Sequence, residues 1–172
     1  LAANLKKRRY MSDPEVTGSL PSVTVVMSLH NEKEVAGRKI SSMLASDYPG
    51  DKLNFIIGSD GSTDGTGAVV SAHANANPQI QLIINAERSG KAAMLNELAS
   101  KATGEILIIT DANVMFTPSV VRKLAEGFAD PTTGLCDTTV CPLSSADTGI
   151  MRQEIMYSRY ETILKRAEGV LW

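Results

Sequence analysis

The sequence has little of what several protein classes require. Its 172 residues include two histidines and two cysteines, Cys136 and Cys141, which do not form a CxxC pair. So few possible ligands argue against a zinc site. The two cysteines are expected to be reduced thiols, which fits a cytoplasmic protein. No apolar run approaches the roughly 20 residues of a membrane span, and no signal peptide is visible. Because the formal net charge is only −2, no nucleic-acid partner is expected.

Signature motifs of several nucleotide-using enzymes are also missing. No GxGxxG follows the first apolar run, so a dinucleotide cofactor is not expected. No GxxxxGK(S/T) is present, which disfavours a P-loop kinase or ATPase, and no GxSxG marks a hydrolase nucleophile. What is present is ordinary: 43% of the residues are apolar and 21% are charged, which predicts a globular domain with a packed core.

Short β-branched runs alternate with amphipathic stretches along the chain. This pattern predicts an α/β fold with a mostly parallel central sheet flanked by helices. The run 105–110 is the most apolar and is expected at the centre of the sheet. Asn31 is the expected N-cap of the first helix, and Gly104 is expected to close the third. The expected strands are 23–29, 54–58, 80–84, 105–110 and 135–140, and the expected helices are 31–45, 66–76, 91–101 and 118–128.

Polar and charged residues follow each of the first four expected strands. Because ligands of open parallel sheets bind beyond the carboxyl ends of the strands, these residues are expected to meet at one site. Arg88 and Lys91 can neutralise phosphate oxygens, and Asp60 can accept hydrogen bonds from a base or a ribose. The expected nucleotide-binding residues are Ser28, His30, Asn31, Glu32, Asp60, Arg88, Lys91 and Asp111.

A pair of oxygen-bearing side chains, Asp111 and Asn113, follows the fourth expected strand. Two such oxygens suit Mg²⁺ or Mn²⁺, because one or two protein ligands hold these ions while water and substrate phosphates complete the coordination. The pair therefore predicts a divalent cation beside a bound diphosphate.

Four motifs in order resemble those of family 2 glycosyltransferases, which have the GT-A fold. Residues 23–32, VTVVMSLHNE, resemble the opening strand and YNE turn of that family, and residues 59–66, SDGSTDGT, resemble its DGSTDGT loop. Residues 88–96, RSGKAAMLN, resemble its R-x-GKAxALN segment, and residues 110–113, TDAN, resemble its DxD metal motif in a DAN form. Residues 157–168 are similar to a segment downstream of the DxD motif in membrane-bound processive members.

The resemblance implies a GT-A-like fold and the transfer of a sugar from a nucleoside-diphosphate donor, with UDP as the expected nucleotide and inversion at the anomeric carbon. By the same resemblance, Asn31 and Glu32 lie beside the nucleotide and Asp60 contacts the uracil or the ribose. Arg88 and Lys91 are implied to lie near the nucleotide or its diphosphate.

The cation of the family is implied to bind Asp111 and Asn113 and to bridge the diphosphate. Two positions depart from the family pattern. His30 stands where a tyrosine is usual, and Asn113 stands where a second aspartate is usual. Since an amide oxygen is a weaker ligand than a carboxylate, either the metal affinity is lower or Asp111 carries most of the binding.

The catalytic base of the family, and the Q-x-x-R-W motif of processive members, come well downstream and match nothing in this sequence. Asp137 and Asp147 are the nearest later carboxylates, and neither has a matching context. The fragment is therefore expected to bind a donor without transferring sugar. Two other functions stay open: a catalytically inactive sugar-nucleotide-binding module, and a nucleotidyltransferase, which would usually show a Gly-rich basic loop after its first strand.

The two ends of the chain suggest how the domain is organised and whether it lies near a membrane. Residues 21–147 are expected to form the core of a single nucleotide-sugar-binding domain, and residues 148–171 a terminal helix whose apolar stripe predicts self-association. The basic cluster at 6–9 is either a solvated tail or a juxtamembrane segment. The resemblance favours a longer parent protein that is anchored at the cytoplasmic face of a membrane and uses a saccharide or lipid-linked acceptor.

Overall fold

The computed structural model of the protein describes residues 20–138 and 140, and these residues are built around a four-stranded parallel sheet. The strand order is β3-β2-β1-β4, which confirms the predicted α/β fold with a parallel sheet flanked by helices. Among the described helices, none is long and apolar enough to cross a bilayer. The elements are β1 (Val23–Leu29), α1 (Lys33–Leu44), β2 (Leu53–Asp60), α2 (Thr66–Ala76), β3 (Ile80–Asn85), α3 (Lys91–Ser100), β4 (Ile106–Thr110) and α4 (Val120–Gly127).

The larger hydrophobic core lies on one face of the sheet, where α1, α2 and α4 pack. Alternate strand residues face this side, because successive side chains of a strand point to opposite faces. Met27 and Phe55 are buried there against Ile40 of α1, Val70 of α2 and Val121 of α4. Helices α1 and α2 thus fix the connections that follow β1 and β2, and α4 fixes the one that follows β4.

The opposite face is covered by α3. Met94 and Leu98 of this helix are fully buried against Val26 of β1 and Ile56 of β2. This second, smaller core holds the N-terminus of α3 close to the carboxyl ends of the central strands.

Strand β4 lies at the edge of the described sheet, where it pairs with β1. Among the strands of residues 20–138, the expectation that the most apolar run would be central is therefore wrong. On the face that α3 covers over β1 and β2, Leu107 and Ile109 of β4 remain 40% and 59% exposed. The apolar content of a strand measures how much of it can be buried, whereas its position in the sheet is set by the chain connections.

Helix boundaries lie within two residues of the sequence predictions, but two local assignments are wrong. The N-cap of α1 is Glu32, and Asn31 adopts a left-handed φ of 55°. Gly104 does not close α3, which ends at Ser100. A Cβ at Gly104 would lie 2.5 Å from the backbone nitrogen of Thr24, so this glycine allows the chain to pass close to β1 on its way into β4.

The chain divides into two units between Gly134 and Leu135, and the first unit holds all the helices and strands that the structure describes. In the second unit, the described residues 135–138 and 140 are not in a strand, so the predicted strand at 135–140 is wrong at these positions. A run with β-forming residues becomes a strand only where a neighbour supplies the ladder of hydrogen bonds. The predicted terminal helix at 148–171 and the basic cluster at 6–9 lie outside the described residues.

Candidate functional site

A cavity of about 270 Å³ opens at the carboxyl ends of the strands. It receives residues from the carboxyl ends of β1 and β2 and from the segments that follow β1, β3 and β4. The lining consists of Ser28, His30, Glu32, Asp60, Arg88, Lys91, Asp111, Ala112 and Asn113. The structure therefore brings together all the sequence-predicted site residues except Asn31.

The strand order explains why these loops converge. The chain runs outward from β1 to β2 and β3 and then returns to place β4 on the other side of β1. The strand order therefore reverses at the neighbouring strands β1 and β4, and ligands of open α/β sheets bind in the crevice at such a switch point. Ser28 and His30 reach the crevice from β1, and Asp111 and Asn113 reach it from β4.

Asp60 is the most buried acidic residue of the site, with 1% of its surface exposed. One carboxylate oxygen accepts hydrogen bonds from the backbone nitrogen (2.7 Å) and the hydroxyl (2.9 Å) of Ser89, and the other accepts one from the backbone nitrogen of Gly90 (2.8 Å). The backbone hydrogen bond from Ser89 is the main cause that lowers the pKa of Asp60. Asp60 therefore holds the loop that carries Arg88 and Lys91.

The same two loops touch through Gly61. This residue has a φ of 60°, and a Cβ built on it would lie 2.6 Å from the backbone nitrogen of Arg88. Both the positive φ and the close approach require glycine at this position. The loop after β2 thus packs directly against the loop after β3, which carries the cavity residue Arg88.

The loop after β1 is fastened to the loop after β2. The Asn31 side chain accepts a hydrogen bond from the backbone nitrogen of Thr63 (2.9 Å), and the Asn31 backbone nitrogen donates to the hydroxyl of Ser62 (3.2 Å). His30 Nδ1 lies 2.7 Å from the carbonyl oxygen of Asp60, and since a carbonyl only accepts, this nitrogen carries the proton. Asn31 therefore supports the site from outside the cavity, and His30 lines it.

A residue absent from the predicted site, Asp64, ties two helices to this loop network. One carboxylate oxygen accepts a hydrogen bond from the backbone nitrogen of Lys33 at the start of α1 (3.0 Å). The other accepts from the hydroxyl (2.6 Å) and the backbone nitrogen (2.9 Å) of Thr66 at the start of α2. These hydrogen bonds, led by that of the Thr66 hydroxyl, lower the pKa of Asp64 to about 2.

The cationic and anionic sides of the cavity meet at Lys91 and Asp111. The Lys91 ammonium lies 2.6 Å from a carboxylate oxygen of Asp111, and the two side chains are 61% and 53% exposed. Lys91 is the first residue of α3, where the helix dipole adds to its attraction for an anion. The exposed Arg88 stands on the same wall, so two cations face the segment with Asp111 and Asn113.

The donor set is consistent with a divalent cation that shares its coordination with a ligand. Within residues 20–138, no cluster of three or more histidine, cysteine or acidic side chains could hold a metal ion by itself. Asp111 and Asn113 supply a carboxylate and an amide oxygen to the same cavity. Such a partial set fits Mg²⁺ or Mn²⁺ when phosphate oxygens and water complete the shell.

Three residues that support the site are not among the site residues expected from the sequence. They are Asp64, Ser89 and Lys39. Asp64 and Ser89 lie within the motifs that carry the resemblance, so their position is visible in the sequence but their hydrogen-bond partners are not. Lys39 could have been found, because it lies three residues after Ala36 and four before Met43, on the buried side of α1.

Comparison with known proteins agrees with this geometry. The family model of glycosyl transferase family 2 matches residues 24–170. The chain is 30% identical to a beta-monoglucosyldiacylglycerol synthase of Synechocystis sp. over 66% of its own length and 24% of the relative's. It is 26% identical to an N-acetylglucosaminyltransferase of Rhizobium meliloti over 82% of its own length and 33% of the relative's.

Two solved structures extend the likeness to the fold. A mannosyltransferase from Pyrobaculum calidifontis, in complex with GDP-Man and Mn²⁺, superposes with a TM-score of 0.64 and 36% identity over 67% of this chain and 34% of that one. S. aureus TarS 1-349, in complex with UDP-GlcNAc, superposes with a TM-score of 0.58 over 62% of this chain and 31% of that one. At 18% identity, the second likeness concerns the fold alone.

The chain spans about a quarter to a third of the length of these relatives. Within that span, the match of the family model covers most of the chain and includes all the residues that line the cavity. The chain belongs to glycosyltransferase family 2 and has the GT-A fold.

Proposed function

We propose that this chain is the donor-binding part of a metal-dependent glycosyltransferase and that it holds a nucleoside-diphosphate sugar, with UDP as the nucleotide. One observation carries the proposal. Two cationic side chains, Arg88 and Lys91, line the same cavity of about 270 Å³ as Asp111 and Asn113, and Lys91 pairs with Asp111 at 2.6 Å. A diphosphate with a bridging divalent cation presents the charges that complement both sides.

Each side chain has a task in this proposal. Arg88 and Lys91 bind the diphosphate oxygens and neutralise the charge that develops as the nucleotide leaves. Asp111 and Asn113 hold Mg²⁺ or Mn²⁺, and the ion, when bound, acts as a Lewis acid on the leaving diphosphate. Asp60 positions the loop of Arg88 through Ser89 and Gly90, and the nucleoside lies toward Ser28, His30 and Glu32.

Sugar transfer with inversion is proposed for the longer protein, in which a general base deprotonates the acceptor hydroxyl. The names of the relatives support an acceptor that is a saccharide or a lipid-linked molecule, since one relative is named a monoglucosyldiacylglycerol synthase. We also propose that the longer protein is anchored at the cytoplasmic face of a membrane. Self-association of the fragment through 150–172 is proposed from the sequence alone, because these residues lie outside the described part.

Titration calorimetry on the 172-residue chain tests the donor site. UDP with Mn²⁺ is expected to bind more tightly than GDP, AMP or NAD, and EDTA is expected to weaken UDP binding. Arg88→Ala should reduce UDP binding by about 1.5–3 kcal/mol, the usual value of a hydrogen bond to a charged group, and should leave uridine binding unchanged.

A matched control is Arg122→Ala, which removes an arginine that pairs with Asp47 at 3.3 Å, away from the residues that line the cavity. This variant should bind UDP as the wild type does. Equal UDP affinity with Mn²⁺ and with EDTA would contradict the role of Asp111, and an equal loss of uridine and UDP in Arg88→Ala would contradict the phosphate role of Arg88. Tighter binding of GDP than of UDP would mean that the donor nucleotide is GDP, and it would leave the assignment of the diphosphate site unchanged.

A further inference from the structure

Lys39 of α1 is fully buried, although it carries an ammonium group. We infer that Lys39 is a positioning residue that holds the segment between Thr110 and Val114, so that Asp111 and Asn113 present their oxygens to the cavity. The inference rests on the proposed function, because it takes Asp111 and Asn113 as the ligands of a metal ion. Lys39 itself does not line the cavity. Lys39 acts through the loop and does not touch the ligand.

The burial of Lys39 needs an explanation in terms of its contacts. Lys39 lies on the same side of α1 as the buried Ala36 and Met43, so a leucine or methionine would pack there at lower cost. A buried ammonium group is tolerated only where acceptors replace its hydration. The acceptors of Lys39 all belong to one segment, the connection that leaves β4.

Those contacts bracket the two proposed metal ligands. The Lys39 ammonium donates to the hydroxyl of Thr110 (2.9 Å), the residue before Asp111, and to the carbonyl oxygen of Val114, the residue after Asn113. The ammonium also lies 3.8 Å from the ring centroid of Phe116, within the range of a cation–π contact. One cation therefore fixes both ends of the segment that contains Asp111 and Asn113.

Other restraints on this segment also come from α1. The backbone nitrogen of Phe116 donates to the hydroxyl of Ser42 (3.2 Å), one turn along the helix from Lys39. The backbone hydrogen bond from Val114 to Asp111 is long, at 3.4 Å, and holds the turn weakly. Because the turn has little backbone hydrogen bonding of its own, its backbone conformation depends on the side chains of α1, while Lys91 of α3 pairs with the Asp111 carboxylate.

Three variants of the 172-residue chain test the inference. Lys39→Met keeps the apolar length and removes the charge, and Thr110→Val keeps the volume and removes one acceptor. Lys52→Met is the matched control, since it removes a lysine that donates to the carbonyl of Leu20 at the other end of the sheet. Each variant is titrated with UDP in Mn²⁺ and in EDTA, and its amide hydrogen exchange is measured over 111–116.

In Lys39→Met, we expect Mn²⁺-dependent UDP affinity to fall about 10- to 100-fold, the usual effect of losing support behind a metal ligand, while affinity in EDTA changes less than about twofold. Exchange over 111–116 should accelerate. Thr110→Val should change both quantities in the same direction by less, and it carries the test if Lys39→Met does not fold. Lys52→Met should change neither, even if it lowers the overall stability.

Two results would overturn the inference. One is a Lys39→Met or Thr110→Val chain whose Mn²⁺-dependent affinity stays within about twofold of the wild type. The other is exchange over 111–116 that matches the wild type in both variants. If the wild type itself binds UDP equally in Mn²⁺ and EDTA, the proposed function fails. The exchange measurement then decides by itself whether Lys39 holds the segment.

Discussion

The stability of this protein should rise between about pH 8 and pH 10.5 because of Lys39. Burial lowers the pKa of Lys39 from 10.5 to about 8, and the negative charge of Asp111 opposes this change without cancelling it. Below about pH 8 the folded and unfolded chains both carry the proton, so the full cost of burying the charge is present. At higher pH the folded chain releases the proton first, and the free energy of unfolding increases until the unfolded chain has also released it.

The gap of about 2.5 between the two pKa values sets the size of the effect. At about 1.4 kcal/mol for each pH unit, it corresponds to about 3 kcal/mol. Other lysines, tyrosines and thiols titrate in the same range, so the useful quantity is the difference in free energy of unfolding between the wild type and Lys39→Met. That difference should move in favour of the wild type by about 3 kcal/mol from about pH 7.5 to about pH 10.5.

Urea unfolding followed by circular dichroism at several pH values measures this difference. Val70→Ala is a suitable control, because it removes buried atoms from the core on the same face of the sheet without removing a titratable group. Its difference from the wild type should stay constant with pH. A difference between wild type and Lys39→Met that is equally constant would refute the reasoning, since it would mean that the Lys39 ammonium is solvated in the folded chain.

Two further substitutions test the loops around the cavity. Asp64→Asn should lower the midpoint of thermal unfolding by a few degrees at neutral pH, because it weakens the hydrogen bonds to Lys33 and Thr66. The Asp64 carboxylate contributes its stability above pH 3.8 and loses it as the pH falls through about 2, so acid titration of the unfolding midpoint should bring wild type and variant together. Gly61→Ala should lower the free energy of unfolding by at least about 1 kcal/mol because of the positive φ at this position. It should also weaken UDP binding, because the added Cβ displaces Arg88. Gly134→Ala is the control and should change neither quantity.

The order of elements and the membership of the cavity could be predicted from the sequence. β-branched runs alternate with amphipathic stretches, and this periodicity is a local property that specifies βα units without reference to the rest of the chain. Since parallel strands place their carboxyl ends on one edge, the loops with Asp60, Arg88 and Asp111 had to meet there. The family could likewise be recognised, because its motifs are short runs whose residues are adjacent along the chain.

Partners distant in sequence were decided by the tertiary structure. Asn31 was predicted as the N-cap of α1, but Glu32 takes that place, and the Asn31 side chain accepts a hydrogen bond from Thr63 beside the cavity. Asp60, which was predicted to contact the uracil or the ribose, lines the cavity as expected, but the sequence did not indicate that both of its oxygens accept hydrogen bonds from the loop after β3. Each of these contacts joins residues about 30 positions apart, so no local pattern encodes them.

The edge position of β4 and the burial of Lys39 have the same origin. Hydrophobicity predicts that Ile109 is able to be buried, but only the packing of α3 over β1 and β2 decides that it remains exposed. A lysine is expected at the surface. Lys39 can be buried because Thr110 and Val114 pack beside α1 in the folded chain and accept hydrogen bonds from its ammonium group. The sequence by itself determined which residues could form this site, and the tertiary structure decided which of them line the cavity and which hold the others in place.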